Sequence, residues 1–119
     1  MRRLTTVFVF VCCTLPASFP AAGQPIFKTP EQAAATLYSA WRSTNRAKAK
    51  TVTGVQNIEK LFSVRPRTMK FNGCTKREGG DFECIYEDQK IDLTLAMLTT
   101  RVTRRGYRIR SLSFSSEAY

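Results

Sequence analysis

The stretch FNGCTKREGGDFECIYED, Phe71 to Asp88, decides the fold that this sequence predicts. Two runs of strand-forming residues flank the pair Gly79-Gly80, a pattern typical of a β-hairpin and its turn. If the hairpin is centred on Gly79, Cys74 lies opposite Cys84 on the neighbouring strand. The same register predicts two further pairs, Asn72 with Tyr86 and Lys76 with Phe82.

The two hairpin cysteines are predicted to form a disulfide. Directly opposed residues of antiparallel strands have Cα atoms about 4.5 to 5.5 Å apart, within the range of about 4.4 to 6.8 Å that a disulfide tolerates. A zinc site is less favoured, because the chain contains no histidine and zinc needs four nitrogen or sulfur ligands. A catalytic dithiol is also less favoured, because such pairs usually lie at a helix N-terminus. No cofactor or metal is predicted.

The sequence after Thr68 reads as strands joined by short turns. Candidate strands cover residues 68–76, 81–87, 91–100 and 107–115, and the short connections make consecutive strands antiparallel neighbours. Within the third candidate strand, Ile91, Leu93, Leu95 and Met97 alternate with Asp92, Thr94 and Ala96, which predicts one buried face.

The sequence before Thr68 reads as helices. Thr29 as N-cap, Pro30 at the first helical position and Gln32 three residues after the cap predict a helix to about Ser43, with Trp41 as its largest core anchor. A second helix is predicted after Asn45 and a third after Thr53. The predicted fold class is α+β, with N-terminal helices packed on a curved four-stranded antiparallel sheet.

The first residues have the features of a secretory signal: two arginines, a short apolar run, then small residues and prolines. Cleavage after Gly23 would remove residues 1–23, with Cys12 and Cys13, and leave residues 24–119 as one small domain. We therefore expect an exported protein, periplasmic or extracellular, without a transmembrane segment. That mature chain has 17 basic and 9 acidic residues, a net charge of +8.

Three parts of the chain resemble the nuclear transport factor 2-like superfamily, the cystatin-like α+β cone. They are the helix EQAAATLYSAWRSTNR (residues 31–46), the strands FNGC and FECIY of the cysteine hairpin, and the closing strand GYRIRSLSF (residues 106–114). The pattern is especially similar to small exported members, many of them uncharacterised. The resemblance implies helices closing over a sheet, and enzymes of this fold use pocket Asp, His and Tyr side chains for proton transfer.

Candidate site residues fall in two places. The segment TTRVTRRGYRIR crowds five arginines around Tyr107, and such a cluster can bind phosphate or carboxylate groups; its arginines are Arg101, Arg104, Arg105, Arg108 and Arg110. Ordinary solubilising arginines at a hairpin tip are the alternative. Asp92 is the catalytic candidate, because burial in a sheet face would raise its pKa, and the favoured alternative is a solvent-facing aspartate on an alternating strand.

The sequence therefore favours an exported, non-enzymatic binding domain over a small pocket enzyme of the isomerase or dehydratase type. Its basic charge predicts anionic partners: an anionic surface, an acidic polysaccharide or an acidic protein. Nucleic acid is a less favoured partner for an exported chain. A homodimer formed through the sheet is a further expectation.

Overall fold

The computed structural model describes residues 26–102 and 106–116. Three helices come first: α1 (Pro30–Arg42), α2 (Arg46–Lys50) and α3 (Val55–Phe62). Four strands follow: β1 (Lys70–Lys76), β2 (Phe82–Asp88), β3 (Leu93–Val102) and β4 (Gly106–Ser116). The predicted signal segment lies outside the described residues. The helices pack on one face of an open antiparallel sheet of order β1-β2-β3-β4, which confirms the α+β class.

The helix starts follow from local capping. The Thr29 hydroxyl accepts a hydrogen bond from the Gln32 amide at 3.1 Å, and Asn45 caps α2 by accepting from the Lys48 amide at 3.0 Å. The Gln32 side chain bonds the amide of Lys28 and not that of the cap residue. α3 begins after Thr53 as predicted, but its N-cap is Gly54 and no side-chain hydrogen bond caps this helix.

The cysteine hairpin has the predicted register near its turn. Cys74 pairs with Cys84 across β1 and β2, and the two form a disulfide whose Cα atoms, 3.9 Å apart, lie closer than the predicted range. The predicted Asn72–Tyr86 pair is wrong, because a β-bulge shifts the register between Phe71 and Gly73 and brings Phe71 opposite Tyr86. Gly73 has φ +99, a backbone conformation that glycine adopts without the steric cost other residues meet.

The third predicted strand starts too early in the sequence. The turn after β2 extends over residues 89–92, so β3 begins at Leu93. Ile91 is 44% exposed and Asp92 has φ 54, in the left-handed region that turns use. The alternation is real from Leu93 onward, where Leu95 and Met97 are fully buried against the helices.

Side chains fill the space between the helices and the sheet. The largest fully buried ones include Leu37 and Trp41 of α1, Leu61 of α3 and the two residues of β3 just named. Trp41 is the predicted anchor, and its indole N–H donates to the carbonyl of Val64 at 2.9 Å, so its polar atom is satisfied inside the core. The helices therefore close over the sheet with packed side chains.

The outer edge of β4 is covered by other parts of the chain. The Phe27 carbonyl accepts from the Tyr107 amide at 2.7 Å, and the Val52 carbonyl accepts from the Ile109 amide at 2.9 Å. Three β4 carbonyls accept from side chains of the segment that forms α3, namely Ile109 from Thr53, Arg110 from Asn57 and Leu112 from Lys60. No comparable cover lies along β1 among the described residues.

No helix within residues 26–102 or 106–116 is both long enough and apolar enough to cross a membrane.

Candidate functional site

The arginines of the predicted cluster do not share one environment. Arg104 and Arg105 lie outside the described residues. Arg108 donates to the carbonyl of Thr51 at 3.1 Å, and Arg110 forms an ion pair with Asp81 at 3.1 Å. These two arginines therefore have partners within the protein, whereas Arg101, at the end of β3, is exposed and has no ion pair among the described residues.

Arg101 and Tyr107 meet in a depression of about 400 Å³ beside the start of β4. Ile26, Lys28 and Gly106 are the other described residues of its lining, and we call these five residues the Lys28–Arg101 site. Tyr107 is half-buried, with its ring edge-on to that of Phe82 at a centroid distance of 5.9 Å. The site thus combines two cationic side chains with an aromatic ring held by packing.

The segment before α1 supplies Ile26 and Lys28 to this site. It runs alongside β4 through a parallel bridge between Phe27 and Gly106, and Phe27 is buried. Gly106 has φ +72, and a Cβ atom at this position would lie 2.1 Å from the carbonyl oxygen of Phe27. Only glycine therefore permits this close approach of the two backbones, which fixes Lys28 near Arg101.

The electrostatics of the Lys28–Arg101 site favour an anion. None of its described lining residues carries a carboxylate, although both cations are exposed. Lys28 also directly precedes Thr29, the N-cap of α1, and the partial positive charge of a helix N-terminus disfavours a cation there. A bound anion would relieve the repulsion between these positive charges.

Asp92, the catalytic candidate, lies at the opposite end of β3. It is exposed and lines a depression with Glu87, Asp88, Gln89 and neighbouring residues of the turn. Asp88 accepts from the Lys90 amide and pairs with Arg67 at 3.4 Å, as expected of an aspartate that shapes a turn. No tyrosine belongs to the lining described for this depression, so the structure does not bring Asp92 together with a proton donor of that type.

Two further tyrosines, Tyr38 of α1 and Tyr86 of β2, meet between the helices and the sheet. Tyr38 and Tyr86 stack with ring centroids 4.4 Å apart, and the Tyr38 hydroxyl accepts from the Met69 amide at 2.9 Å. Burial, and secondarily the neighbouring Tyr38, raises the pKa of Tyr86 from 10.0 to about 12. A phenol with a raised pKa is a poorer acid at neutral pH, and this pair serves packing.

Sequence reasoning missed Lys28 and the wider charge of the helical part. Residues 26–69 contain eight basic and two acidic residues, so most of the positive charge lies outside the arginine-rich hairpin. A cation placed directly before a helix cap is the local signal that could have identified Lys28, because it opposes the usual preference. Its contact with the last hairpin is long-range, and no local pattern encodes it.

Within the two described ranges, no group of three or more Cys, His, Asp or Glu side chains is arranged to hold a metal ion. Comparison with protein-family models, curated proteins and solved structures finds no match to this chain. The resemblance to the nuclear transport factor 2-like superfamily therefore stays a prediction from the sequence.

Proposed function

We propose that this protein is an exported, non-enzymatic binding domain that holds anionic groups at the Lys28–Arg101 site. The observation that carries the proposal is the meeting of Lys28 and Arg101 beside Tyr107 with no carboxylate in the described lining. A guanidinium can bind a phosphate or carboxylate with two parallel hydrogen bonds, and the ammonium adds a second charge. The net charge of +8 expected for residues 24–119 would draw such groups toward the surface.

Export is part of the proposal and rests on the signal-like first residues. The Cys74–Cys84 disulfide is compatible with it, because disulfides persist in oxidising compartments. Likeness to the nuclear transport factor 2-like cone is a further part, supported by helices packed on a four-stranded antiparallel sheet. We do not carry the pocket enzyme further, because no observation at Asp92 favours it.

The test is binding of residues 24–119 to two anionic probes, vesicles containing phosphatidylglycerol and an acidic polysaccharide such as polygalacturonate. Phosphatidylcholine vesicles and a neutral polysaccharide are the uncharged references. The two arms distinguish a lipid headgroup from a sugar carboxylate as the source of the anion. Binding should weaken between 0.1 and 1 M salt, because the Debye length falls from about 10 Å to about 3 Å.

The decisive variant is the double substitution K28Q/R101Q. Exposed ion pairs contribute about 0.2 to 1 kcal/mol each, so losing two should weaken binding by about two- to thirtyfold. The matched control is K76Q/K90Q, which removes the same charge from two exposed lysines outside the site. Equal weakening in both variants would show that net charge alone attracts the probes, and the proposed site would be wrong.

A further inference from the structure

A second basic surface lies on the helical layer, in the cleft between α2 and α3. It is lined by Arg46 and Lys50 of α2 and by Val55, Ile58 and Glu59 of α3, and we call these five residues the α2–α3 cleft. Ile58 is 2% exposed and forms the floor, whereas Val55 is 63% exposed and forms an apolar rim. None of these residues belongs to the Lys28–Arg101 site.

The two cations of the cleft, Arg46 and Lys50, differ in their side-chain contacts. The Arg46 guanidinium lies 5.0 Å from the centroid of the Phe62 ring and forms an ion pair with Glu59 at 2.8 Å. Both members of that ion pair are about half exposed or more, so the pair can exchange partners with solvent and solutes. Lys50 lies one helical turn from Arg46 and has no ion pair among the described residues.

The surroundings add to this positive charge. Residues 42–67 contain seven cationic side chains and a single carboxylate, that of Glu59. Among the described lining residues of the cleft, the only acidic group therefore already neutralises Arg46. An exposed apolar residue beside unpaired positive charge favours a ligand that carries both an apolar group and negative charge.

We infer that the α2–α3 cleft binds an acidic protein segment whose apolar side chain packs on Val55 and whose carboxylates contact Lys50 and Arg46. The concave shape, with buried Ile58 as its floor, fits a side chain that projects into it. A single-stranded nucleic acid would stack its bases on an exposed aromatic face, and the Arg46 guanidinium lies over the Phe62 ring. In this arrangement Glu59 competes with the incoming carboxylate for Arg46.

The probe is the synthetic peptide acetyl-Glu-Glu-Leu-Glu-Glu-amide, titrated into ¹⁵N-labelled protein comprising residues 24–119. We expect saturable chemical-shift changes centred on the amides of Lys50, Val55 and Ile58. The same peptide with glycine in place of leucine should bind about fivefold more weakly, because it lacks the apolar group that Val55 would cover. A lysine-containing peptide of the same length should produce no saturable change.

Two substitutions of opposite sign make the test sharp. K50Q should weaken binding about two- to fivefold, and E59Q should strengthen it by a similar factor, since each changes one exposed ion pair. K90Q removes one exposed charge from the β2–β3 turn and is the matched control, for which we expect unchanged binding. K28Q/R101Q should leave the peptide-induced shifts of the Lys50, Val55 and Ile58 amides unchanged, so failure of the cleft is distinguishable from failure of the Lys28–Arg101 site.

Any of three results would overturn the inference. The first is the absence of saturable shifts. The second is an equal effect of K50Q and K90Q, which would indicate diffuse attraction by net charge. The third is that the peptide does not bind, whereas phosphatidylglycerol vesicles bind the natural protein and do not bind K50Q. That result would assign the cleft to a membrane surface.

Discussion

Replacing Gly106 by alanine should loosen the segment that carries Lys28. The added Cβ atom would lie 2.1 Å from the Phe27 carbonyl oxygen and 2.8 Å from its carbonyl carbon, so the two backbones must separate. Separation breaks the hydrogen bond of 2.7 Å from the Tyr107 amide to that carbonyl. Phe27, which is only 8% exposed in the intact protein, would move with its backbone.

The size of the effect can be built from two contributions. A residue with a Cβ atom in the left-handed region costs about 1 to 2 kcal/mol, and Gly106 has φ +72. Loss of one backbone hydrogen bond adds about 0.5 to 1.5 kcal/mol. Alanine also lowers the conformational entropy of the unfolded chain relative to glycine, which offsets about 0.4 to 1 kcal/mol of this loss. We therefore expect a net loss of about 0.5 to 3 kcal/mol in the free energy of unfolding.

Thermal unfolding followed by circular dichroism measures this loss. For a domain of this size, 1 kcal/mol corresponds to a shift of about 4 to 8 °C in the midpoint. The matched control is Gly79→Ala, because Gly79 also has φ +72 but nothing lies within 4 Å of the added Cβ atom. The Gly106 variant should unfold at a lower temperature than this control and should also bind the anionic probes more weakly, since Lys28 is displaced.

Equal midpoints for the two alanine variants would refute the reasoning. They would show that the left-handed backbone accounts for the whole effect and that Phe27 does not press on Gly106. Full retention of probe binding by the Gly106 variant would separate the site from this backbone contact.

Two further predictions concern the cysteine hairpin and the tyrosine stack. Native, unreduced protein should show no alkylation of Cys74 or Cys84, and replacing both by serine should lower stability by roughly 2 to 3 kcal/mol, measured by urea unfolding. Because the raised pKa of Tyr86 favours its protonated form in the fold, the stability it contributes is present below pH 10 and is lost as pH rises toward about 12. Thermal midpoints between these pH values should fall more for the natural protein than for Tyr86→Phe; parallel curves would contradict the assignment.

The sequence allowed much of the fold to be predicted where the signals are local. The turn glycines and the two cysteines gave the register of the hairpin near its turn, and the caps Thr29 and Asn45 placed two helices. The register failed at Asn72 because a bulge adds one residue without interrupting the run of strand-forming side chains. Asp92 was placed in a strand because its neighbours alternate, but the turn extends to it.

The candidate site could be predicted only in part, because its halves come from distant parts of the chain. The arginine-rich segment indicated anion binding and located Arg101 and Tyr107. It could not show that Arg108 and Arg110 bond to Thr51 and Asp81, because those contacts depend on tertiary packing. The contribution of Lys28 depends on a parallel bridge between the first described residues and the last strand.

The covered edge of β4 limits how copies of this chain can associate through their sheets. Strand addition needs free backbone groups, and the described contacts cover β4 from Tyr107 to Leu112 but give no such cover to β1. Continuous sheet between two copies is therefore favoured where β1 joins β1, related by a two-fold axis. Even this pairing must accommodate the bulge at Asn72 and the lysines Lys70 and Lys76 at the two ends of the strand. The cover along the described part of β4 thus disfavours extension of the sheet beyond such a pair.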